Sequence, residues 1–154
     1  IERVPERISS IVWLDAFKPE NGQRAFDVTN EVGQAAIKAA IAKGEPSRPK
    51  PRAAAFHVNE KDQAWVDAKM TAQPIGVSMQ PIKLTGAREK VPKKAYIRAP
   101  LYAQPEFDKA YAACKVDKTW RAIEAACGHD VMVDAPEWLV EALLETAGAA
   151  KLKA

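Results

Sequence analysis

At 154 residues, with 47% apolar and 28% charged side chains, the chain has the size of one globular domain or of one large piece of a larger fold, and it is too apolar to be disordered. Its 23 basic and 20 acidic residues leave a formal charge of +3, far short of the basic field of a nucleic-acid binder, so nucleic acid is excluded as a partner. No run is long and apolar enough to span a bilayer, and the opening IERVPERI is nothing like a secretory signal, so the expectation is a soluble, cytoplasmic protein with no membrane partner.

In chain order, IERVPERI reads as the tail of a helix that leads into SSIVWLD, residues 9–15. That continuous apolar run between polar residues is the pattern of a strand covered on both faces. From Asn21 to Pro92 the character changes. RAFDVTNEVGQAAIKAAIAKG supports a helix ending at Gly44, EPSRPKPRAAAF is proline-rich and basic, with SRPKPR a solvated loop, and EKDQAWVDAKMTAQP suggests a second helix stopped by Pro74. IGVSMQPIKLTGA then reads as extended. So long an excursion between strands of one sheet is usually functional, and a cap over a pocket is its natural use.

KAYIRAP, residues 94–100, and TWRAIEAAC, residues 119–127, are the next two strand-like runs. Between them PEFDKAYAACKVD sets Phe107, Ala110, Tyr111 and Cys114 at helical spacing behind a proline start. Strand, helix, strand is a crossover unit and favours a parallel sheet. APEWLVEALLETA then carries Leu139, Ala142, Leu143 and Thr146 on one face with Pro136 in the first turn, which predicts a closing amphipathic helix. The skeleton is α/β, divided into core at residues 1–21 and 93–154 and an inserted, mainly helical segment at 22–92.

The chemistry follows from the strand ends. In open parallel sheets reactive groups gather at the carboxyl ends of strands, where loops vary without disturbing the core. Asp15 closes the SSIVWLD run, and His129 follows the TWRAIEAAC run after one glycine. A histidine can take a proton from a hydroxyl and return it to a leaving group when a carboxylate fixes its tautomer. Cys114 and Cys127 fit no zinc spacing and read as buried free thiols, and Cys127 with His129 falls short of three or four ligands, so no metal is expected.

The stretches ERVPERISSIVWLDAFKPENGQ, AWVDAKMTAQPIGVSMQPIKLTGA, KKAYIRAP and GHDVMVDAPEWL resemble the second half of an α/β-hydrolase of the small esterase branch, which includes pyrethroid-type carboxylesterases, plant methylesterases and hydroxynitrile lyases. The most specific elements are GHDxMxxxP at 128–136 and LDAFxPxxG at 14–22. The resemblance implies a sheet flanked by helices, an inserted cap at 22–92, no cofactor, and a Ser–acid–His triad with His129 as base. It implies a carboxylic ester hydrolase working through an acyl-enzyme on an uncharged, hydrophobic small-molecule ester.

The nucleophile has no match. The elbow GxSxG needs its glycines because backbone crowds the serine. The serines here are Ser9, Ser10, Ser47 and Ser78, and Ser78, in GVSMQ, lacks the second glycine. By the resemblance, the elbow and the oxyanion donors lie upstream of residue 1, so the N-terminal half of the hydrolase fold is the expected partner and the chain alone is expected to be inactive. Most members carry the acid after the strand matching KAYIRAP, where Pro100 and Leu101 stand here. Some carry it one strand earlier, where Asp15 lies; Glu106 is the alternative acid, and Asp15 could instead cap the following turn.

Phe56, Trp65, Met70 and Met79 are candidates to line an acyl or alcohol pocket, or are ordinary core of the insertion. His57 reads as a surface or packing histidine, and Asp130 as a turn residue or a tuner of His129. A hydroxynitrile lyase, with Lys69 or Lys83 near the leaving group, and a non-catalytic binder of a small ligand are the alternatives on the same fold.

Overall fold

The computed structural model describes residues 1–148. After one 3₁₀ turn at Pro5–Arg7, β1 (Ser10–Leu14) leads into a long excursion. It contains α1 (Ala25–Val28), α2 (Glu31–Ala42), β2 (Ser47–Arg48), a 3₁₀ turn at Ala53–Phe56, α3 (Glu60–Lys69), β3 (Gln73–Pro74), α4 (Ile75–Met79) and a last 3₁₀ turn at Ala87–Lys90. The chain returns as β4 (Lys93–Arg98), crosses through α5 (Pro105–Val116) to β5 (Trp120–Glu124), and closes with α6 (Val131–Asp134) and α7 (Pro136–Ala147). The core segment expected at 93–154 is thus described except for its last six residues, which lie outside the described residues.

The main sheet is parallel, in the order β1-β4-β5, with Ile97 opposite Leu14 on one side and Ile123 on the other. Alternation along β4 sends its side chains to two cores. On one face Ile97 and Ala99, with Val12, Leu14 and Ile123, pack on Leu139 and Ala142 of α7. On the other, Tyr96, Trp13 and Ala122 pack on Ala110, Tyr111 and Cys114 of α5, and Trp13 meets Trp120 edge to face at 5.1 Å between centroids. Complete burial of Ile97 contributes roughly 1.5–3 kcal/mol. The parallel crossover and the proline-started helices α5 and α7 are as the sequence implies.

Five expectations need correction. β1 is half-buried at all five positions, not covered on both faces, because β4 is its only strand neighbour among the described residues. The helix expected to run to Gly44 is broken into α1 and α2 at Thr29–Asn30, where the Asn30 side chain accepts the Gly33 N–H at 2.9 Å and caps α2. IGVSM is not extended but forms α4; one turn brings Ile75 and Met79 together onto Ile37, Ala40 and Phe26. IERVPERI forms a single 3₁₀ turn rather than a helix tail. The buried stripe of α7 is also narrower than expected, since Leu143 is exposed while Leu139, Ala142 and Thr146 are buried.

Candidate active site

Asp15 sits just beyond β1, its N–H donating to the Ile97 carbonyl at 2.7 Å. The backbone turns there with φ 42°, a left-handed conformation that Asp tolerates better than most residues. The turn aims the carboxylate across the end of β4, where it is fully buried. Its Oδ1 accepts from Arg98 Nη1 at 2.7 Å and from the Ala99 N–H at 2.9 Å. Its Oδ2 lies 2.8 Å from His129 Nδ1.

His129 is held by the loop after β5. Its N–H donates to the Phe56 carbonyl at 2.9 Å, and its ring lies among Phe56, Tyr102 and Phe107 at centroid distances of 5.2, 4.8 and 5.7 Å. The preceding Gly128 permits this approach, because a Cβ there would stand 2.2 Å from the His57 carbonyl oxygen. Asp134 ties the loop down from behind: Oδ1 accepts from the Asn59 backbone N–H (3.1 Å) and Nδ2 (2.7 Å), and Oδ2 accepts from the Gly128 N–H at 3.3 Å.

A carboxylate only accepts, so Nδ1 carries the proton of the Asp15 bond and Nε2 is left as the acceptor. Nε2 makes no hydrogen bond to any described residue, and the side chain is 27% exposed. The pair can therefore do general base chemistry at Nε2. Cys127 offers no nucleophile of its own, since burial, with the nearby Asp134 and Asp15 carboxylates adding to it, pushes its thiol up to about 11. Burial also raises the Asp130 carboxyl above its ordinary range; His129 opposes that and Asp134 adds to it.

Asp15 and His129, 114 positions apart, are thus brought together. Glu106 is not at the imidazole; it pairs with Lys109 on α5. Phe56 stands against the His129 ring, whereas Met70 packs with Ala53, Val58 and Val66, Met79 packs under α2, and Trp65 is exposed on α3. Ser78 is buried in α4, Ser9 and Ser10 lie at the opposite end of β1 from Asp15, and Ser47 is in β2. His57 is exposed with φ 56°, and Lys69 and Lys83 are exposed. Among the described residues no cluster of three or more His, Cys, Asp and Glu side chains gathers to hold a metal.

Sequence reasoning missed the residues that build the site around this pair. Arg98, within the KAYIRAP run and not singled out there, is buried and also donates from Nε to Asp108 at 2.8 Å and from Nη2 to the Tyr102 carbonyl at 2.7 Å. Tyr102 gave no signal. Phe107 was legible as a buried helix position but not as a ring against His129, and Asn59 was legible only as the residue before a helix.

No family model matches the chain. In sequence it is similar to a carbendazim-hydrolysing esterase of Nocardioides sp. strain SG-4G, 28% identical over 152 residues, which cover 92% of this chain and 62% of that protein. In structure it is similar to an extracellular α/β-hydrolase from a Paenibacillus species, said to share structural and functional homology with tobacco salicylic acid binding protein 2. That likeness has a TM-score of 0.75 at 19% identity and covers 94% of this chain and 64% of the other. The chain spans less than two thirds of either relative's length. It therefore carries part of the α/β-hydrolase fold and is homologous to an esterase.

Proposed function

We propose that this chain supplies the base and the acid of a serine-dependent carboxylic ester hydrolase, His129 as base and Asp15 as acid. The observation that carries the reading is the 2.8 Å contact between Asp15 Oδ2 and His129 Nδ1, with Nε2 bonded to none of the described residues. In this mechanism a serine hydroxyl gives its proton to Nε2 as Oγ bonds to the ester carbonyl carbon. Nε2–H then protonates the departing alkoxide, which leaves as alcohol, and the acyl group stays on Oγ. Water repeats the cycle: Nε2 takes its proton, its oxygen attacks the acyl carbon, and the proton returns to Oγ as the carboxylic acid leaves. Throughout, Asp15 accepts the Nδ1–H bond and stabilises the imidazolium.

The serine, in this reading, belongs to a segment that pairs with the free edge of β1, supported by the half-burial of that strand and by relatives that extend well beyond this chain. Residues 22–92 act as the cap; the Phe56 and Asn59 bonds to the His129 loop support that role. The substrate is a small, uncharged ester, and the name of the Nocardioides relative makes carbendazim a compound to assay beside aryl esters. The test is His129→Ala in the complete protein: kcat on a short-chain aryl ester should fall by several orders of magnitude with KM little changed. Near-normal turnover would remove the triad.

A further inference from the structure

We propose that Arg98 is a positioning residue: from behind Asp15 it sets how tightly the Asp15–His129 pair holds its proton, and it fixes two of the three rings that enclose the imidazole. The proposal rests on the acid–base reading above. Four bonds radiate from the guanidinium: Nη1 to Asp15 Oδ1 (2.7 Å) and to the Ala99 carbonyl (2.5 Å), Nη2 to the Tyr102 carbonyl (2.7 Å), and Nε to Asp108 (2.8 Å). Tyr102 lies against His129, and Asp108 directly follows Phe107, which stacks on it. One side chain thus joins the end of β1, the end of β4 and the start of α5 around a single imidazole. Lysine could not do this, since its ammonium is a point donor without the planar fork.

The electrostatic part follows from which charges face the pair. Asp15 comes from β1, Arg98 from β4 and Asp108 from α5 behind Arg98; Asp130 and Asp134 belong to the histidine's own loop and α6, and His57 adjoins Phe56 from the excursion. Tyr102 adds a phenol that burial holds protonated, and Cys127 adds a protonated thiol. Arg98 is the buried cation of this set, 3% exposed, whereas Asp108 is 62% exposed and screened by water. Removing the Arg98 charge leaves Asp15 without its buried counter-charge. The pair then binds its proton more tightly, whichever of Asp15 and His129 holds it, because either protonated form has lost a repelling cation. Arg98 therefore keeps the base poised to release the proton it takes.

The experiment uses the complete protein with Arg98→Met and Arg98→Lys. The His129 titration is followed by NMR, with the resonance assigned through His129→Gln, and aryl-ester kcat and KM are measured against pH. In Arg98→Met the His129 midpoint and the acid limb of kcat/KM should both move up by about one pH unit or more. In Arg98→Lys, which keeps the charge and loses the fork, the midpoint should stay within a few tenths of a unit while kcat falls roughly 10- to 100-fold at near-constant KM. A folded Arg98→Met protein with an unmoved midpoint overturns the proposal. Should that variant not fold, wild-type kcat in Arg98→Lys overturns it instead. An Asp15→Asn protein of normal turnover would remove the acid role from Asp15 and leave the Arg98 test standing, since the NMR midpoint reports on Arg98 without reference to turnover.

Discussion

At the scale of single residues, the fully buried Asp15 has both oxygens committed, Oδ1 to Arg98 and Ala99 and Oδ2 to His129. Asp15→Asn keeps the shape and puts an amide donor where an acceptor belongs, which favours the wrong imidazole tautomer. We expect kcat to fall about 10⁴-fold in the complete protein with little change in KM, read by steady-state ester hydrolysis; a loss under 10-fold would move the acid elsewhere. Asp130 gives a separate prediction for stability. Burial raises its folded carboxyl above the unfolded value, so the native state binds more protons between those two values and stability falls as pH rises through them. Asp130→Asn should therefore have the same Tm as the parent below that window and a higher Tm above it, by thermal melts at both pH values. His129 and Asp15 were legible in the sequence because each follows an apolar run at a strand's carboxyl end. Arg98 was not, because a charge closing a strand looks the same whether it faces water or a buried carboxylate.

At the scale of elements, the segment Phe56–Asn59 and the loop Gly128–Asp134 are fastened to each other. The Phe56 carbonyl takes the His129 N–H, Asp134 takes two bonds from Asn59, and Val133 packs on Ala53, Val58 and Val66. Gly128→Ala would drive a methyl to 2.2 Å from the His57 carbonyl, so one of the two segments must shift. We expect lower Tm and kcat reduced by roughly 10²-fold; unchanged kcat would mean that the loop yields without moving the imidazole. Asp134→Ala takes the acceptor from the Asn59 backbone N–H and leaves Asn59 Nδ2 with Asp62 alone; it should cost about 1–3 kcal/mol by denaturant unfolding, with faster hydrogen exchange at Phe56–Asn59 as the local sign. The three strands and the helices α5 and α7 could be read from apolar spacing and proline starts. The break before α2 and the helix α4 could not: a single turn offers too few residues to show a period, and it is packing of Ile75 and Met79 on α2 that makes that turn helical.

At the scale of the molecule, a parallel sheet of three strands, half-buried at β1, carries a histidine and an aspartate but brings no serine to them among the described residues. The edge of β1 that pairs with no strand among the described residues, with its half-buried apolar side chains, should make residues 1–154 alone prone to self-association, a tendency that light scattering would register. The motifs GHDxMxxxP and LDAFxPxxG pointed to this architecture because they mark the two strand ends that meet. The most direct measurement is aryl-ester turnover by residues 1–154 alone, by the complete protein, and by the complete protein carrying His129→Ala. Turnover is expected only in the unmodified complete protein, with the variant reduced by several orders of magnitude. Turnover by the isolated chain that Ser78→Ala abolishes, or near-normal turnover in His129→Ala, would contradict this expectation.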